Sequence, residues 1–321
     1  VDEPKLSGLL RLLAVAVLLL AAAGVFSLYR SHQREAARED AKVAGLLEEI
    51  RKLEVGTPRT PGDTWIDLEP FELPRQAGLA EELRKKTELA YHLRPRNLDA
   101  ICYRGIYLQR AGEVRRAIAY YGRAISLYQG EAKGHTYLST AYRRNRQLDE
   151  AMTQARTAVR MAPRDPAAHD SLGSILAENQ QWNDAAAEYR KALELDSSYF
   201  PAHNNLGFAL LKQGKRDEAI ASFRHALDLN PRSGVAHKNW GDALDEQGKP
   251  DEAIAQYRQA TQVDPGYVDG HVALADALLD QGKMAEALEE YKVVRRLRAE
   301  AGQAAEGKKG ARAMTSVSLV P

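Results

Sequence analysis

From residue 98 onward, small and large apolar side chains recur along this chain every 34 residues. Ala117, Ala151, Ala185, Ala219, Ala253 and Ala287 form one column, and Ala124, Ala158, Ala192, Ala226, Ala260 and Val294 another. A third column, Gly105, Ser139, Gly173, Gly207, Gly241 and Ala275, is always small. Beside these run large columns: Leu108, Tyr142, Leu176, Leu210, Leu244, Leu278, and Tyr121, Ala155, Tyr189, Phe223, Tyr257, Tyr291. Within one period, Leu206, Leu210 and Leu211 share a helical face, as do Ala219, Ile220, Phe223, Ala226 and Leu227. Between the two runs, "KQGKRDE" places a glycine where the chain must reverse. Each period therefore predicts a helix–turn–helix pair. Small residues at the crossing let the helices approach, and the aromatic fills the remaining gap. One such pair leaves a face unburied, so neighbours must stack into a continuous core. Six periods fit, 98–131, 132–165, 166–199, 200–233, 234–267 and 268–301.

This pattern closely resembles the tetratricopeptide repeat (TPR) family, over residues 98 to about 300. "PAHNNLGFALLKQGKRDEAIASFRHALDLNP" is the closest copy, and Pro163, Pro231 and Pro265 close three of the periods. The first repeat departs most, with Arg104 where later repeats carry Leu or Trp, and Gln129 in place of the closing proline. "GLAEELRKKTELAYHLRPRN", residues 78–97, matches only the second half of a repeat, with Ala90 and Pro95 in register; it predicts a capping helix.

The N-terminal third follows a different pattern. "LLRLLAVAVLLLAAAGVFSLY", residues 9–29, carries one charge, Arg11, and none from Leu12 to Tyr29. That length approaches the roughly 20 residues needed to cross a bilayer core. The favoured expectation is a retained single-pass anchor over residues 1–30; the alternative is a cleaved signal peptide, with Ala21–Ala23 as the small-residue site. Lys5 and Arg11 on one flank, against Arg30, Arg34, Arg38 and Lys42 on the other, lean slightly toward a cytoplasmic C-terminal portion. Residues 31–54 predict a helical stalk with Val43, Leu46, Leu47, Ile50 and Leu53 on one stripe. That stripe either packs on the protein's own body or makes a contact with another helix. Residues 55–77, rich in proline, predict an extended linker, and 302–321 a flexible tail. The expected fold is all-α: a right-handed superhelical solenoid of TPR helix pairs preceded by a single transmembrane helix.

Composition narrows the function. Lys and Arg total 45 and Asp and Glu 44, a balance that argues against a generally basic nucleic-acid binder. Cys102 is the single cysteine, so no intrachain disulfide or thiolate zinc cluster can form. There is no phosphate loop, no metal-ligand cluster and no nucleophile motif. His135, His169, His203, His237 and His271 recur at one place in five repeats. Equivalent helices in a stack lie roughly 8–10 Å apart, too far for two imidazoles to share a metal at ~2 Å each. The column is a bulky packing position or, as the second reading, a pH-sensitive seam. No enzyme, cofactor, small-molecule substrate or nucleic acid is expected.

What the resemblance implies is binding of a protein or peptide in an inner groove lined by the first helices. The corresponding positions give Arg110, Lys133, Tyr137, Arg143 and Arg144 early, Asn204, Asn205, Phe208, Leu211 and Lys212 in the middle, and Lys238, Asn239, Asp242, Asp245, Glu246 and Asp276 late. Sign segregates by end, basic first and acidic last. Phe208, Tyr137 and Leu211 are the expected apolar anchors. A competing site is the last helix, where no further repeat follows to cover Tyr291, Val294 and Leu297. Lys238 followed by Asp242, and Ala273 where an asparagine would serve, argue against the lysine–asparagine clamp by which some family members hold a chaperone tail. The reading is a membrane-anchored adaptor, touching lipid through residues 9–29. Its alternatives are an assembly subunit of a membrane protein complex and an accessory chaperone or secretion factor.

Overall fold

The computed structural model describes residues 37–50 and 77–317, and every regular element among them is an α-helix. The chain divides into two compact bodies: the described residues up to Gln129 belong to one, and those from Gly130 onward to the other.

The N-terminal body holds α1 (37–50), α2 (Ala77–Leu93), α3 (Leu98–Arg110) and α4 (Val114–Leu127). The Asn97 side chain starts α3 by accepting the Ala100 amide at 2.9 Å, satisfying one of the donors a helix N-terminus leaves open. α3 and α4 cross where Gly105 meets the Tyr121 ring; a Cβ there would lie 2.4 Å from a ring carbon. α1 lies antiparallel on α2. Glu39 and Asp40 pair with Arg94 at one end, and Glu49 with Lys86 at the other. Val43 and Ile50 are buried, and Leu46 and Leu47 pack with Leu83, Ala90 and Ala100. Over 37–50, then, the expected stalk is a docked helix: its apolar stripe finds cover on the protein's own body. α1 and α2 together make a helix pair like those that follow.

The C-terminal body continues with α5 (Ala132–Arg144), α6 (Leu148–Met161), α7 (Pro166–Glu178), α8 (Trp182–Leu195), α9 (Phe200–Lys212), α10 (Arg216–Leu229), α11 (Gly234–Glu246), α12 (Pro250–Val263), α13 (Val268–Asp280) and α14 (Met284–Val317). In repeats three, four and five, Gly173, Gly207 and Gly241 lie against Tyr189, Phe223 and Tyr257, where an added Cβ would meet the ring at 2.4–2.6 Å. The alanine columns are closed to solvent: Ala151, Ala185, Ala219 and Ala253 are fully buried. Burying one such ring contributes roughly 1.5–3 kcal/mol. Turns between paired helices need one left-handed residue, supplied by Gly214 (φ +76°) in repeat four but by Arg146 (φ +63°) in repeat two.

The histidine column latches the repeats. His169 Nδ1 sits 2.6 Å from Glu188 on the second helix, and its Nε2 donates to the Pro163 carbonyl at 3.1 Å. His271 does the same with Glu290 and Pro265, and His237 with Gln256 and Pro231. One imidazole thus ties the loop entering a repeat to that repeat's second helix. Burial works to raise the Glu188 pKa, but hydrogen bonds from Lys191 and His169 outweigh it and hold the carboxyl below its usual range.

One expectation is corrected. Among the described residues no helix is long and apolar enough to cross a membrane, so single-pass membrane localisation is not upheld; the segment 9–29 on which it rested lies outside the described residues, as do linker residues 55–76. α14 runs on without a break for 34 residues, as far as Val317.

Candidate protein-interaction site

The inner positions of the C-terminal body come from successive first helices, α5, α7, α9, α11 and α13. They sit close enough to bond across repeats. The Asn205 amide donates to Asp170 Oδ1 at 3.0 Å, and the Asn239 amide donates to Asn204 Oδ1 at 3.1 Å. Asn204 in turn donates to Asn205 at 3.4 Å, which joins α7, α9 and α11 through one polar ladder. Ser139 and Ser171 extend the same kind of tie between α5 and α7, oxygen to oxygen at 2.7 Å. Satisfied polar groups of this kind fix the register of packed helices.

Asp170 is the costly member. It is fully buried, and its Oδ2 has no partner. Burial pushes its pKa up to about 7, against the pull of the Asn205 hydrogen bond and the Arg143 charge. The Arg143 guanidinium is committed to Glu178 of the next repeat at 2.5 Å.

Two centres flank the ladder. On one side Phe208 stands half-buried, edge-on to Trp182 (6.0 Å, 73°), with Lys212 Nζ 5.2 Å from its ring centroid. On the other, Lys238 Nζ and the Tyr257 hydroxyl both reach Asp242, at 2.7 and 3.0 Å. Burial first, and then the Asp242 charge, raises the Tyr257 pKa, so that phenol stays a donor. Tyr291 donates likewise to Asp276, and that hydrogen bond is the leading cause of its own raised pKa.

The structure sorts the residues singled out from sequence. Tyr137 and Leu211 are 5% and 4% exposed, so they serve the stack and offer a partner little apolar area. Asn204 and Asn239 are buried in the ladder. Lys133, Arg143, Arg144, Asn205, Phe208, Lys238 and Asp242 are half-buried; Lys212, Asp245, Glu246 and Asp276 are exposed. Arg110, half-buried in α3, belongs to the N-terminal body. At the far end, Val294 and Leu297 are buried and Tyr291 is half-buried, while Leu279, Met284 and Leu288 are the exposed apolar side chains. Sequence reasoning passed over Asp170, Glu178 and Trp182. A signal existed for Asp170, an acid in a column otherwise read as groove-lining. Among the described residues no three His, Cys, Asp or Glu side chains gather as a metal site.

Family models agree on the repeat. One described as "TPR repeat" matches residues 173–214, and two described as "Tetratricopeptide repeat" match 104–166 with 238–305, and 198–265. No curated protein sequence matches the chain. Among solved structures, it is similar to the APC/C hetero-tetramer Cut9–Hcn1 (20% identity, TM-score 0.57), over 63% of this chain and 40% of that one. It is also similar to TTC0263, a thermophilic TPR protein of Thermus thermophilus (23%, 0.53; 57% of this chain, 100% of that). A third is Pseudomonas aeruginosa pilF (18%, 0.53; 62% and 91%). At such identities these likenesses establish the fold. The chain carries tetratricopeptide repeats, and its helices build an all-α TPR solenoid, the architecture of a protein-interaction scaffold.

Proposed function

We propose that the inner row of first helices in the C-terminal body binds a segment of a partner protein, with its polarity set by charge. Lys133, Arg143 and Arg144 mark repeat two; Asp242, Asp245, Glu246 and Asp276 mark repeats five and six. A segment acidic at one end and basic at the other is attracted in one direction only, which speeds encounter more than it adds affinity. Affinity is assigned to the centre, where Phe208 rests on Trp182 and can lose its remaining water. That half-buried aromatic, set between regions of opposite sign, is the observation that carries the reading.

The test begins with crosslinking in the native cell and identification of the captured protein by mass spectrometry. Association of that partner with purified full-length chain then separates the two roles. Arg143→Glu with Arg144→Glu is expected to slow binding several-fold, and the wild-type rate is expected to fall as salt rises. Phe208→Ala is expected to speed dissociation, at a cost of roughly 1–3 kcal/mol. A partner indifferent to all three substitutions binds elsewhere.

A further inference from the structure

The last helix pair, α13–α14, leaves open a face that interior pairs close. Leu288 stands in the column of Met152, Ala186, Ile220 and Ile254. Ile254 is 4% exposed and Leu288 is 56% exposed. Leu279 shares a column with buried Leu211 and is 42% exposed. Tyr291 is half-buried where Tyr189, Phe223 and Tyr257 are buried. The helix that closes the face one repeat earlier is α13: Leu274, Ala277 and Leu278 share a buried cluster with Ile254 and Tyr257. α13 runs antiparallel to α12, since Gly270 near its start approaches Ala260 near the end of α12. Among the described helices α14 packs on α13, and Arg258 of α12 reaches it through Glu286 at 2.6 Å.

We infer that this face docks an amphipathic helix of another protein, lying antiparallel to α14 in the place of a further first helix. The interior interface supplies the template. The incoming helix presents a large apolar residue, then a small and a large one three and four positions on, as Leu274, Ala277 and Leu278 do. Charge sets the ends. Asp276, which accepts from Tyr291, and Asp280 are both exposed in the last turns of α13, ahead of the turn that leads to Leu288, so Lys or Arg belongs near the C-terminal end of the docked helix. Arg295 stands exposed where Leu193 and Leu227 stand in earlier repeats, so an acidic residue belongs near its N-terminal end. A second copy of this chain is a poor fit through α1, because α1 turns Arg38, Lys42 and Glu48 to solvent.

The inference is independent of the groove and is tested on the full chain. The probe is a fluorescein-labelled, end-blocked peptide of residues 199–213, which carries Leu206, Ala209 and Leu210 in the template positions and Lys212 near its C-terminal end. Saturable binding to the wild type is expected, weakened at least tenfold by Leu288→Glu and clearly by the milder Leu288→Gln, with melting curves confirming that both variants fold. Replacing the peptide's lysine by glutamate should weaken binding several-fold to wild type and strengthen it to Asp280→Lys. Phe208→Ala in the protein should change nothing. Three results overturn the proposal. One is absent binding, or binding blind to Leu288. A second is self-association of the wild type in sedimentation, abolished by Leu288→Glu, which makes a second copy the occupant. The third is slow alkylation of Leu288→Cys in the native chain, which makes the chain's own residues the cover.

Discussion

Repeats two and four share one backbone plan and solve it with different residues. In repeat four, Gly207 lets α9 approach the Phe223 ring, and Gly214 turns the chain at φ +76°. In repeat two the ring is replaced by Ala155 and the glycine by Ser139, while Arg146 turns the chain at φ +63°. The ring and a side chain on the facing helix exclude each other, since a Cβ on Gly207 would come within 2.6 Å of Phe223. Repeat two loses both together. The Ser139 hydroxyl donates 2.7 Å to the Thr136 carbonyl or meets Ser171 of the next repeat at 2.7 Å. In repeats one, three, four and five the ring goes with glycine, and in repeat two the small residue goes with serine; repeat six sets Ala275 against Tyr291, whose ring is only half-buried.

The strongest way to break this contrast is Phe223→Ala in repeat four, which leaves a cavity under Gly207. It should cost about 3–5 kcal/mol, read as a fall in Tm, while Ala155 shows that the same small residue is accepted beside Ser139. Overpacking comes next: Gly207→Ala, or Ala219→Leu at the fully buried helix contact, should cost about 1–3 kcal/mol. Nearest-neighbour coupling should carry that loss into adjacent repeats. An unchanged melting curve for Ala219→Leu would remove that alanine from the crossing.

A third prediction uses pH. Asp170 is raised in the folded chain to about 7, above its value in an unfolded one. Its contribution is therefore fully present below pH ~4 and is lost as pH rises toward 7. Asp170→Asn keeps the Asn205 contact within reach and removes the titration. Relative to wild type it should gain about 2–3 kcal/mol between pH 5 and pH 8, measured as Tm across that range; a constant difference would mean that Asp170 does not titrate there. The smallest effect is at the turn. Arg146→Gly should stabilise repeat two by about 0.5–1 kcal/mol, because glycine adopts the left-handed conformation without the steric penalty of a side chain. Gly214→Ala in repeat four should move Tm the other way.

What could be read from sequence, and what could not, divides along the same line. The alanines at 151, 185, 219 and 253 announce the crossing because size alone decides which residue fits there, and each is fully buried. Tyr137 and Leu211 look like open surface in the sequence because a helical wheel shows one repeat at a time, yet they are 5% and 4% exposed. Neighbouring first helices come close enough to bring Asn205 to Asp170, 35 positions away. The histidine column is visible, and its partners on the second helix recur 19 residues on as Gln154, Glu188, Gln256 and Glu290, with Ser222 breaking that column in repeat four. For α1, the stripe of Val43, Leu46, Leu47 and Ile50 required a cover without naming it; α2 is that cover.

The docked α1 has a kinetic meaning. Paired helices in the repeats touch between residues 12 to 19 positions apart, as in Tyr121–Gln109, Tyr189–Ser174 and His169–Glu188. The α1–α2 pair is held by contacts 37 to 55 positions apart. Closing a chain loop costs about 0.6 kcal/mol more for each doubling of its length, so this pair starts roughly 1 kcal/mol behind the others. Local hairpins form early and distant contacts wait for them. Among the described helices α1 is therefore expected to join last and to leave first, and its amides should exchange with solvent ahead of those in α9 and α11.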